Sequence, residues 1–313
     1  MSRLVRVHAR GPRRSVDPTH TATLRERFMR DVARRYDRIA KAILQLIVED
    51  DVFGLEPIEF ERVGNVLRVN RPRREFAFGT THEKVAAFME WLRQQEINEA
   101  LTIVEGTPIE RAARSAWTSV YVESAYQKGI ADAGRNLRGA GAKVERSWID
   151  TAFNRPIHAD RLGIAYTRTF EELVGITAEM DRQISAVLAQ GLAEGRGPMD
   201  IARRLIDRVE KIGKTRARTL ARTEVINAHA EATLNAYEEA GVEGVEVESE
   251  FATAGDAQVC PECSQLEGRT FTLVEARGII PVHPNCRCAW LPAIVRGSNV
   301  VLNAAPRFLR GVS

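Results

Sequence analysis

The 313-residue sequence lacks any long hydrophobic segment. Its longest apolar stretch, from Ala42 to Val48, is interrupted by Gln45, whereas a transmembrane helix needs about 20 apolar residues. The first six residues include Arg3 and Arg6 and therefore lack the continuous apolar core of a secretory signal. We expect no membrane span and no secretory signal.

Cysteine is scarce and confined to one segment. The chain has four cysteines, all between positions 260 and 288, and a chain with none elsewhere is more typical of a reducing compartment. The sequence also lacks a nucleotide-binding glycine loop, because the glycines at positions 191, 195 and 197 follow a predicted helix and not a strand. No residues suggest a serine-based catalytic triad.

The four cysteines form two short motifs that flank a loop. Cys260 and Cys263 are separated by two residues, and nineteen residues later the string His283-Pro-Asn-Cys286-Arg-Cys288 follows. Zinc prefers four tetrahedral thiolate or imidazole ligands, and a Cys-x-x-Cys turn brings two sulfurs to one ion without strain. The segment therefore predicts a structural zinc site with five candidate ligands.

Five candidates exceed the four ligands that zinc requires. The side chains of Cys286 and Cys288 alternate in direction if the chain is extended there, so we expect one of them to bind and the other to stay free. Two alternatives stay open, a disulfide and reduced cysteines without a ligand. Pro281 and Pro284 flank His283 and stiffen its approach, which favours a positioned imidazole.

Positive charge is concentrated at the start of the chain, although the net charge is only +3. Residues 1 to 38 contain eleven arginines and four acidic residues. Such an excess attracts nucleic acid or an acidic protein surface, and Arg10, Arg13 and Arg14 are the candidate contacts. A solvated arm and helix face would explain the same pattern without a partner.

Hydrophobic periodicity predicts a mainly α-helical protein. Apolar residues at three- and four-residue spacing predict helices, and period-two alternation predicts short strands and a hairpin. Thr80 and Glu83 predict a capping box for one helix, and Thr107 and Glu110 predict another. The predicted helices are 24–50, 80–100, 107–137, 159–196, 199–212 and 214–240, the hairpin lies within 56–79, and the strands are 245–251, 269–273 and 289–292.

These elements predict four segments along the chain. They are a basic arm (1–22), a helical domain with a hairpin insertion near 56–79 (23–150), an α+β domain (151–295) and a C-terminal tail (296–313). A glycine-rich connection after residue 139 separates the two domains. The α+β domain is predicted to end in a small sheet and a Cys/His knuckle, and a unit this small has too little apolar area to be stable without a metal.

The order of motifs in the second half resembles the phage Mu F-like head morphogenesis family. The resemblance rests on Ala221-Arg222-Thr223-Glu224 in a long helix, on the Cys-x-x-Cys turn, and above all on the closing string from His283 to Cys288. It covers roughly residues 160–294. One departure is that a single proline, Pro281, precedes His283 where the family commonly doubles it.

This resemblance implies a structural protein of a tailed-phage virion and implies no catalysis. A minor head protein of this kind is present in few but multiple copies and contacts the portal protein or the major capsid protein. It lies in the head interior or at the portal vertex, supports head assembly or genome delivery, and occupies the host cytoplasm during assembly. Packaged DNA is a further expected partner, through the N-terminal arginines.

Arg222 and Glu224 lie two residues apart and therefore point to different faces of the predicted helix. We expect Arg222 to bond carbonyl groups near Asn285 and Glu224 to pair with Arg287, so that all three residues support the knuckle. Ordinary solvated charges are the alternative.

Two other functions are kept as alternatives. His229-Ala-Glu231 followed by Cys-x-x-Cys superficially matches the zinc-dependent nucleobase deaminases, in which a glutamate moves protons at a zinc-bound water. That signature places proline before its first cysteine, whereas Pro261 follows Cys260 here, and it leaves the closing Cys/His string without a role. The second alternative is a non-specific DNA-binding protein that uses the N-terminal arginines.

Overall fold

The computed structural model describes residues 5–8, 17–55, 60–63, 66–69, 76, 79–92, 116–142, 144, 152–153, 156–242 and 247–296. Within these residues the predicted mainly helical fold is confirmed. None of the helices in this part of the chain combines the length and the hydropathy that a membrane span requires.

The helices and strands alternate in blocks along the chain. In order they are β1 (Val5–His8), α1 (Ala22–Leu44) with a π-helical turn (Gln45–Glu49), β2 (Phe60–Val63), β3 (Val66–Val69), α2 (Thr81–Leu92), α3 (Ala116–Gly139), α4 (Pro156–Ala193), α5 (Pro198–Val242), β4 (Val247–Ala252), α6 (Pro261–Leu266), β5 (Thr270–Phe271), α7 (Leu273–Ala276) and β6 (Ala289–Arg296).

Helix α5 is continuous through Gly213, where the sequence predicts a break between two helices. A Cβ atom at Gly213 would lie 2.6 Å from the ring of Tyr36, so glycine permits close packing at this point. A glycine alone costs a helix only about 1 kcal/mol, and no proline follows to end it. The prediction of two separate helices was therefore wrong.

The chain folds into two compact units, each assembled from segments that are distant in sequence. The first comprises residues 1–28, 106–170 and 218–313, and the second comprises residues 29–105 and 171–217. These limits differ from the predicted linear boundaries because α1, α4 and α5 each contribute residues to both units. The linear division into an arm, two domains and a tail stays a prediction.

The first unit contains an antiparallel sheet with the strand order β1-β6-β4-β5. Three of its strands come from the C-terminal region, as predicted, and β4 alternates between buried and half-buried residues before two buried ones. The fourth strand is β1, in which Val5 pairs with Arg296 and His8 with Ala293. The expectation that residues 1–22 form only an arm was wrong for this strand, because four alternating residues are too short a signal to recognise.

The core of the first unit joins the helices to the sheet and to the cysteine segment. Trp290 on β6 is 1% exposed, and its ring contacts those of Phe251 and Phe271 at centroid distances of 5.6 and 5.7 Å. The same buried cluster contains Cys263, Cys286 and Cys288, together with residues of α3 and α5 such as Leu137, Ile226, Leu234 and Tyr237. The cysteine segment is therefore part of the main core of this unit.

Helices α3 and α5 lie in close contact at Gly129. A Cβ atom built on Gly129 would lie 2.7 Å from the Cβ of Ala232 and would also overlap the backbone oxygen of His229. A residue without a side chain is therefore needed at this crossing.

The second unit has a small aromatic core and a hairpin. Phe53 contacts Phe76 and Phe88 at centroid distances of 6.0 and 5.5 Å. Strands β2 and β3 pair antiparallel, with Phe60 opposite Val69, which confirms the predicted hairpin. Its predicted turn at residues 64–65 lies outside the described residues.

The capping box at the start of α2 is confirmed. The backbone N–H of Thr80 donates to the Glu83 carboxylate at 3.1 Å, and the backbone N–H of Glu83 donates to Thr80 Oγ1 at 3.2 Å. The second predicted capping box, at Thr107 and Glu110, lies outside the described residues.

Candidate metal centre

Helix α6 places Cys260 and Cys263 on one turn. Cys260 is the N-cap, with extended backbone, and Pro261 occupies the first helical turn, where its missing N–H costs nothing. The backbone N–H of Cys263 donates to Cys260 Sγ at 3.3 Å. Both sulfurs therefore face the same side of a short, rigid turn.

A second tight turn presents the closing string of the motif. The backbone N–H of Cys286 donates to the carbonyl of His283 at 3.1 Å, and Asn285 adopts the left-handed conformation with φ of 67°. Asparagine is among the few residues other than glycine that tolerate this conformation. The residue type at position 285 thus follows from the geometry of the turn.

The two turns bring all five predicted ligand residues into one cluster. Ligand atoms of Cys260, Cys263 and His283 lie within 4.8 Å of one another, as do those of Cys263, Cys286 and Cys288. Cys263 belongs to both groups and joins them. Two sulfurs on one tetrahedral zinc lie about 3.8 Å apart, so either group is compact enough to share an ion.

His283 is oriented as a metal-binding imidazole would be. Its Nδ1 lies 2.8 Å from the carbonyl oxygen of Pro284, and because a carbonyl can only accept, Nδ1 carries the proton. The lone pair on Nε2 then faces Cys260 Sγ at 3.1 Å and Cys263 Sγ at 3.3 Å. Fixing one ring nitrogen by a backbone carbonyl is how proteins usually orient a histidine ligand.

Hydrogen bonding lowers the pKa of two of the four cysteines, whereas burial and contacts with neighbouring cysteines raise the pKa of the other two. The backbone N–H of Cys263 lowers the pKa of Cys260, and a hydrogen bond from the Cys288 side chain lowers the pKa of Cys286 to about 5. Burial raises the pKa of Cys263 to about 12, while the contact with Cys286 raises the pKa of Cys288. Each turn therefore contains one cysteine whose pKa is lowered, and the thiolate is the form that binds metals.

Arg287 supports the cluster through Asp256 and not through Glu224. Its guanidinium donates to both carboxylate oxygens of Asp256, at 2.7 and 2.6 Å, and this pairing holds the pKa of Asp256 below its ordinary value. The bridge joins the second turn to the loop that precedes Cys260. The predicted Glu224–Arg287 pair was wrong, because Arg287 pairs instead with Asp256, which comes shortly after β4.

Glu224 is buried and has other partners. It is 2% exposed, lies 3.4 Å from Nε of Arg168 on α4, and accepts a hydrogen bond from Thr169 Oγ1 at 3.3 Å. Its expected role in supporting the knuckle is replaced by a role in joining α4 to α5 within the first unit.

Arg222 does not bond the turn at Asn285 either. It is half-buried, and Oδ1 of Asn285 has no hydrogen-bond partner among the described residues. Burial lowers its pKa, and the neighbouring Arg218 and Arg287 lower it further. Arg10, Arg13 and Arg14 lie outside the described residues.

Sequence reasoning missed the bond network that joins the knuckle to α5. Arg277, just after α7, donates to Glu231 at 3.1 Å and to Asn235 at 2.9 Å, and it also contacts Glu238. These three residues recur at three- and four-residue intervals on α5 and so share one face. The spacing of these three polar residues on α5 could have indicated a polar contact face. Nothing in the sequence indicates that Arg277 is the residue that binds there.

The structure contradicts the deaminase alternative. His229, which would be a zinc ligand in that interpretation, is 2% exposed and lies 3.0 Å from the Asp132 carboxylate on α3. Among the described residues, neither group of candidate metal ligands includes His229. His20 lies 3.6 Å from the same carboxylate, a convergence of two histidines that the sequence does not reveal.

Fold and site together define a class: a mainly helical protein whose C-terminal sheet carries a Cys/His knuckle. Residues 182–291 match the family model described as Phage Mu protein F like protein. Over this region the chain is similar to phage Mu F-like proteins, in agreement with the resemblance seen in the motifs. The comparisons with curated proteins and with solved structures gave no match.

The family sets the broad biological context. Similarity to this family over residues 182–291 suggests a phage head morphogenesis protein. The same similarity suggests partners of the capsid or portal type and association with the virion. A structural family of this kind is consistent with a role other than catalysis.

Proposed function

We propose that this protein is a minor head protein that docks at the portal or on the inner capsid and supports head assembly or genome delivery. The observation that carries the proposal is the convergence of five sulfur and imidazole ligands inside the region that matches the phage Mu F-like family. A rigid knuckle on a helical scaffold is suited to protein docking and offers no catalytic arrangement of its own.

Within this proposal a structural zinc ion holds the knuckle. Cys260, Cys263 and His283 would supply three ligands, and Cys286 or Cys288 would supply the fourth. The residues fit such an ion because a metal accepts the Nε2 lone pair of His283 and two or three thiolates at once. When bound, zinc contributes folding free energy by tying the two turns together.

Metal analysis of the purified full chain tests the zinc site. We expect about one zinc per chain and, for Cys263→Ser, loss of the metal with a fall of several kcal/mol in the free energy of unfolding. The matched pair Cys286→Ser and Cys288→Ser identifies the fourth ligand, because only one of the two should release zinc.

Two experimental outcomes would contradict zinc binding, and each would support one of the alternatives, a disulfide or reduced cysteines without a ligand. Thiol counting that finds fewer than four free thiols in protein purified without metal would support a disulfide. Four free thiols, no metal and an unchanged melting temperature in Cys263→Ser would support reduced, unliganded cysteines.

The docking role is tested in assembled particles. A phage that carries Cys263→Ser in this protein should form heads with less of the protein incorporated, whereas an exposed variant such as Val274→Ser, at a position 83% exposed, should be incorporated normally. Cross-linking to portal or major capsid protein identifies the partner. Normal incorporation of the Cys263 variant would contradict knuckle-dependent docking.

Contact with packaged DNA is a second candidate role, supported by the arginine excess of the N-terminal region. Binding should be independent of DNA sequence and should weaken steeply with salt. Replacement of Arg10, Arg13 and Arg14 by glutamine should reduce the salt dependence. If the full chain shows no affinity for DNA at low salt, these arginines are assigned to a protein partner.

A further inference from the structure

The first unit contains a second polar site that is separate from the cysteines. It is a cavity of about 320 Å³ lined by Pro18, His20, Asp132, Arg135, Asn136, Arg138 and Leu291. Four of these residues lie on the last turns of α3, and the others come from the turn before α1 and from β6. The cavity is therefore built from three segments that are far apart in the sequence.

Asp132, the acidic residue that lines the cavity, is held in place by a buried histidine of α5. Asp132 is 4% exposed, and its carboxylate accepts a hydrogen bond from His229 Nε2 at 3.0 Å. Burial lowers the pKa of His229, so this histidine is neutral at physiological pH. His229 lies at one oxygen of the carboxylate and Arg135 at the other, so the carboxylate is held in place from both sides.

His20 is also held in position by its surroundings. It adopts the left-handed conformation with φ of 50°, which is uncommon for a residue other than glycine. The turn is fixed by Asp17, whose carbonyl accepts from the backbone N–H of His20 at 3.1 Å and whose carboxylate pairs with Arg25 at 3.1 Å. The ring then lies 3.6 Å from the Asp132 carboxylate.

Positive charge at the cavity exceeds its negative charge. Arg135 contacts the Asp132 carboxylate, which leaves Arg138 as a second guanidinium beside it. Nη1 of Arg138 is buried and has no hydrogen-bond partner among the described residues. Burial lowers the pKa of Arg135, and the like charge of Arg138 lowers it further. A buried cationic donor without an acceptor is costly, so this geometry is suited to an anion.

A metal ion does not fit the same side chains. His20, Asp132 and His229 are absent from the groups of described residues whose ligand atoms lie close enough to share an ion. The guanidinium groups of Arg135 and Arg138 would also repel a cation. The ligand that suits the cavity is therefore negatively charged.

We propose that this cavity binds a phosphate-type anion. Arginine presents a planar fork of donors that matches phosphate oxygens, and Arg135 and Arg138 supply two such forks within one turn of α3. The His20 ring lies beside them and can bond a hydroxyl of the same ligand. The cavity is larger than one phosphate group needs, so a nucleotide or a phosphate of a DNA strand is accommodated. The proposal is independent of the metal centre.

Titration calorimetry of the full chain with inorganic phosphate tests the site. We expect saturable binding that is weakened at least tenfold in Arg138→Gln. Arg182→Gln is the matched control because Arg182 is 71% exposed in a surface pair with Glu179 and the variant removes the same charge elsewhere. The control should bind phosphate as the unaltered chain does.

Folding is checked by thermal melting of each variant. If Arg138→Gln does not fold, Arg135→Gln serves instead, because Arg135 is 54% exposed and tolerates replacement more easily. No saturable binding at millimolar phosphate, or equal binding by the Arg138 or Arg135 variant and the unaltered chain, would overturn the proposal.

A labelled single-stranded oligonucleotide distinguishes the source of the phosphate. Binding that phosphate displaces, that Arg138→Gln loses and that Arg182→Gln keeps would identify nucleic acid as the ligand. Phosphate binding without any competition by the oligonucleotide would identify a free phosphate or a nucleotide.

Discussion

Gly129 sets the distance between α3 and α5. Because a Cβ atom there would overlap the backbone of His229 and the side chain of Ala232, even the smallest side chain forces the helices apart. The neighbouring polar groups, including the bond between His229 and Asp132 at 3.0 Å, depend on that distance. The absence of a side chain at Gly129 therefore affects both the packing of the helices and the geometry of the cavity beside Asp132.

The variant Gly129→Ala should lower the free energy of unfolding by about 1–3 kcal/mol, because the added methyl group overpacks the helix crossing. The control is Gly163→Ala on α4, where nothing lies within 4 Å of an added Cβ atom and where alanine should stabilise the helix by up to about 1 kcal/mol. Denaturant melts of both variants measure the difference. Equal changes in the free energy of unfolding would show that the crossing of α3 and α5 can accommodate an added methyl group.

At the scale of elements, Arg277 bonds the segment around the knuckle to α5. Arg277 bonds three residues of that helix, and one of them, Asn235, is fully buried and also donates to Tyr126 Oη at 2.8 Å. The short helices α6 and α7 have few residues with which to pack. Their position relative to α5 therefore depends on this side chain as well as on the shared core.

The variant Arg277→Met should cost about 1–3 kcal/mol of stability, because it leaves the buried oxygen of Asn235 without a donor. Arg204→Met is the comparison, since Arg204 is 47% exposed and pairs with Asp200 on the surface, where such a pair contributes about 0–1 kcal/mol. Chemical denaturation followed by circular dichroism measures both. A loss no larger in Arg277→Met than in Arg204→Met would show that the shared core alone positions the knuckle.

Elements with local causes were predictable from the sequence. The Thr80–Glu83 capping box, the hairpin and most helices depend on residues close together in the chain, and the structure confirms them. The break at Gly213 was wrong because Tyr36, far away in sequence, explains that glycine.

The site was predictable only in part. The spacing of the motif identifies the five residues that cluster, because a Cys-x-x-Cys turn is itself local. The partners of Arg287, Arg277 and Glu224 were not predictable, since each depends on segments that only the folded chain brings together. The convergence of His20 and His229 on Asp132 was hidden for the same reason.

At the scale of the whole molecule, the cysteine segment and the helices of the first unit share one core. Cys263, Cys286 and Cys288 belong to the same buried cluster as residues of α3 and α5. Loss of order at the knuckle should therefore spread to the helices and should not remain confined to a peripheral loop.

If zinc is bound, a strong chelator should lower the melting temperature of the helical signal by several degrees, because metal binding contributes to the stability of the whole first unit. Circular dichroism during heating, with and without chelator, measures this change. Re-addition of zinc should restore the original melting temperature. Complete removal of the metal with no shift in helix melting would show that the knuckle folds independently of the helices.

The pairing of β1 with β6 has a consequence for biosynthesis. Val5 and His8 leave the ribosome long before their partners Arg296 and Ala293, which emerge only after β4 and β5 have been made. The outer edge of the sheet therefore closes after translation has passed β6, and such long-range pairing is intrinsically slow. A nascent chain interrupted before residue 289 would carry β1 as an unpaired strand, open to association with other chains.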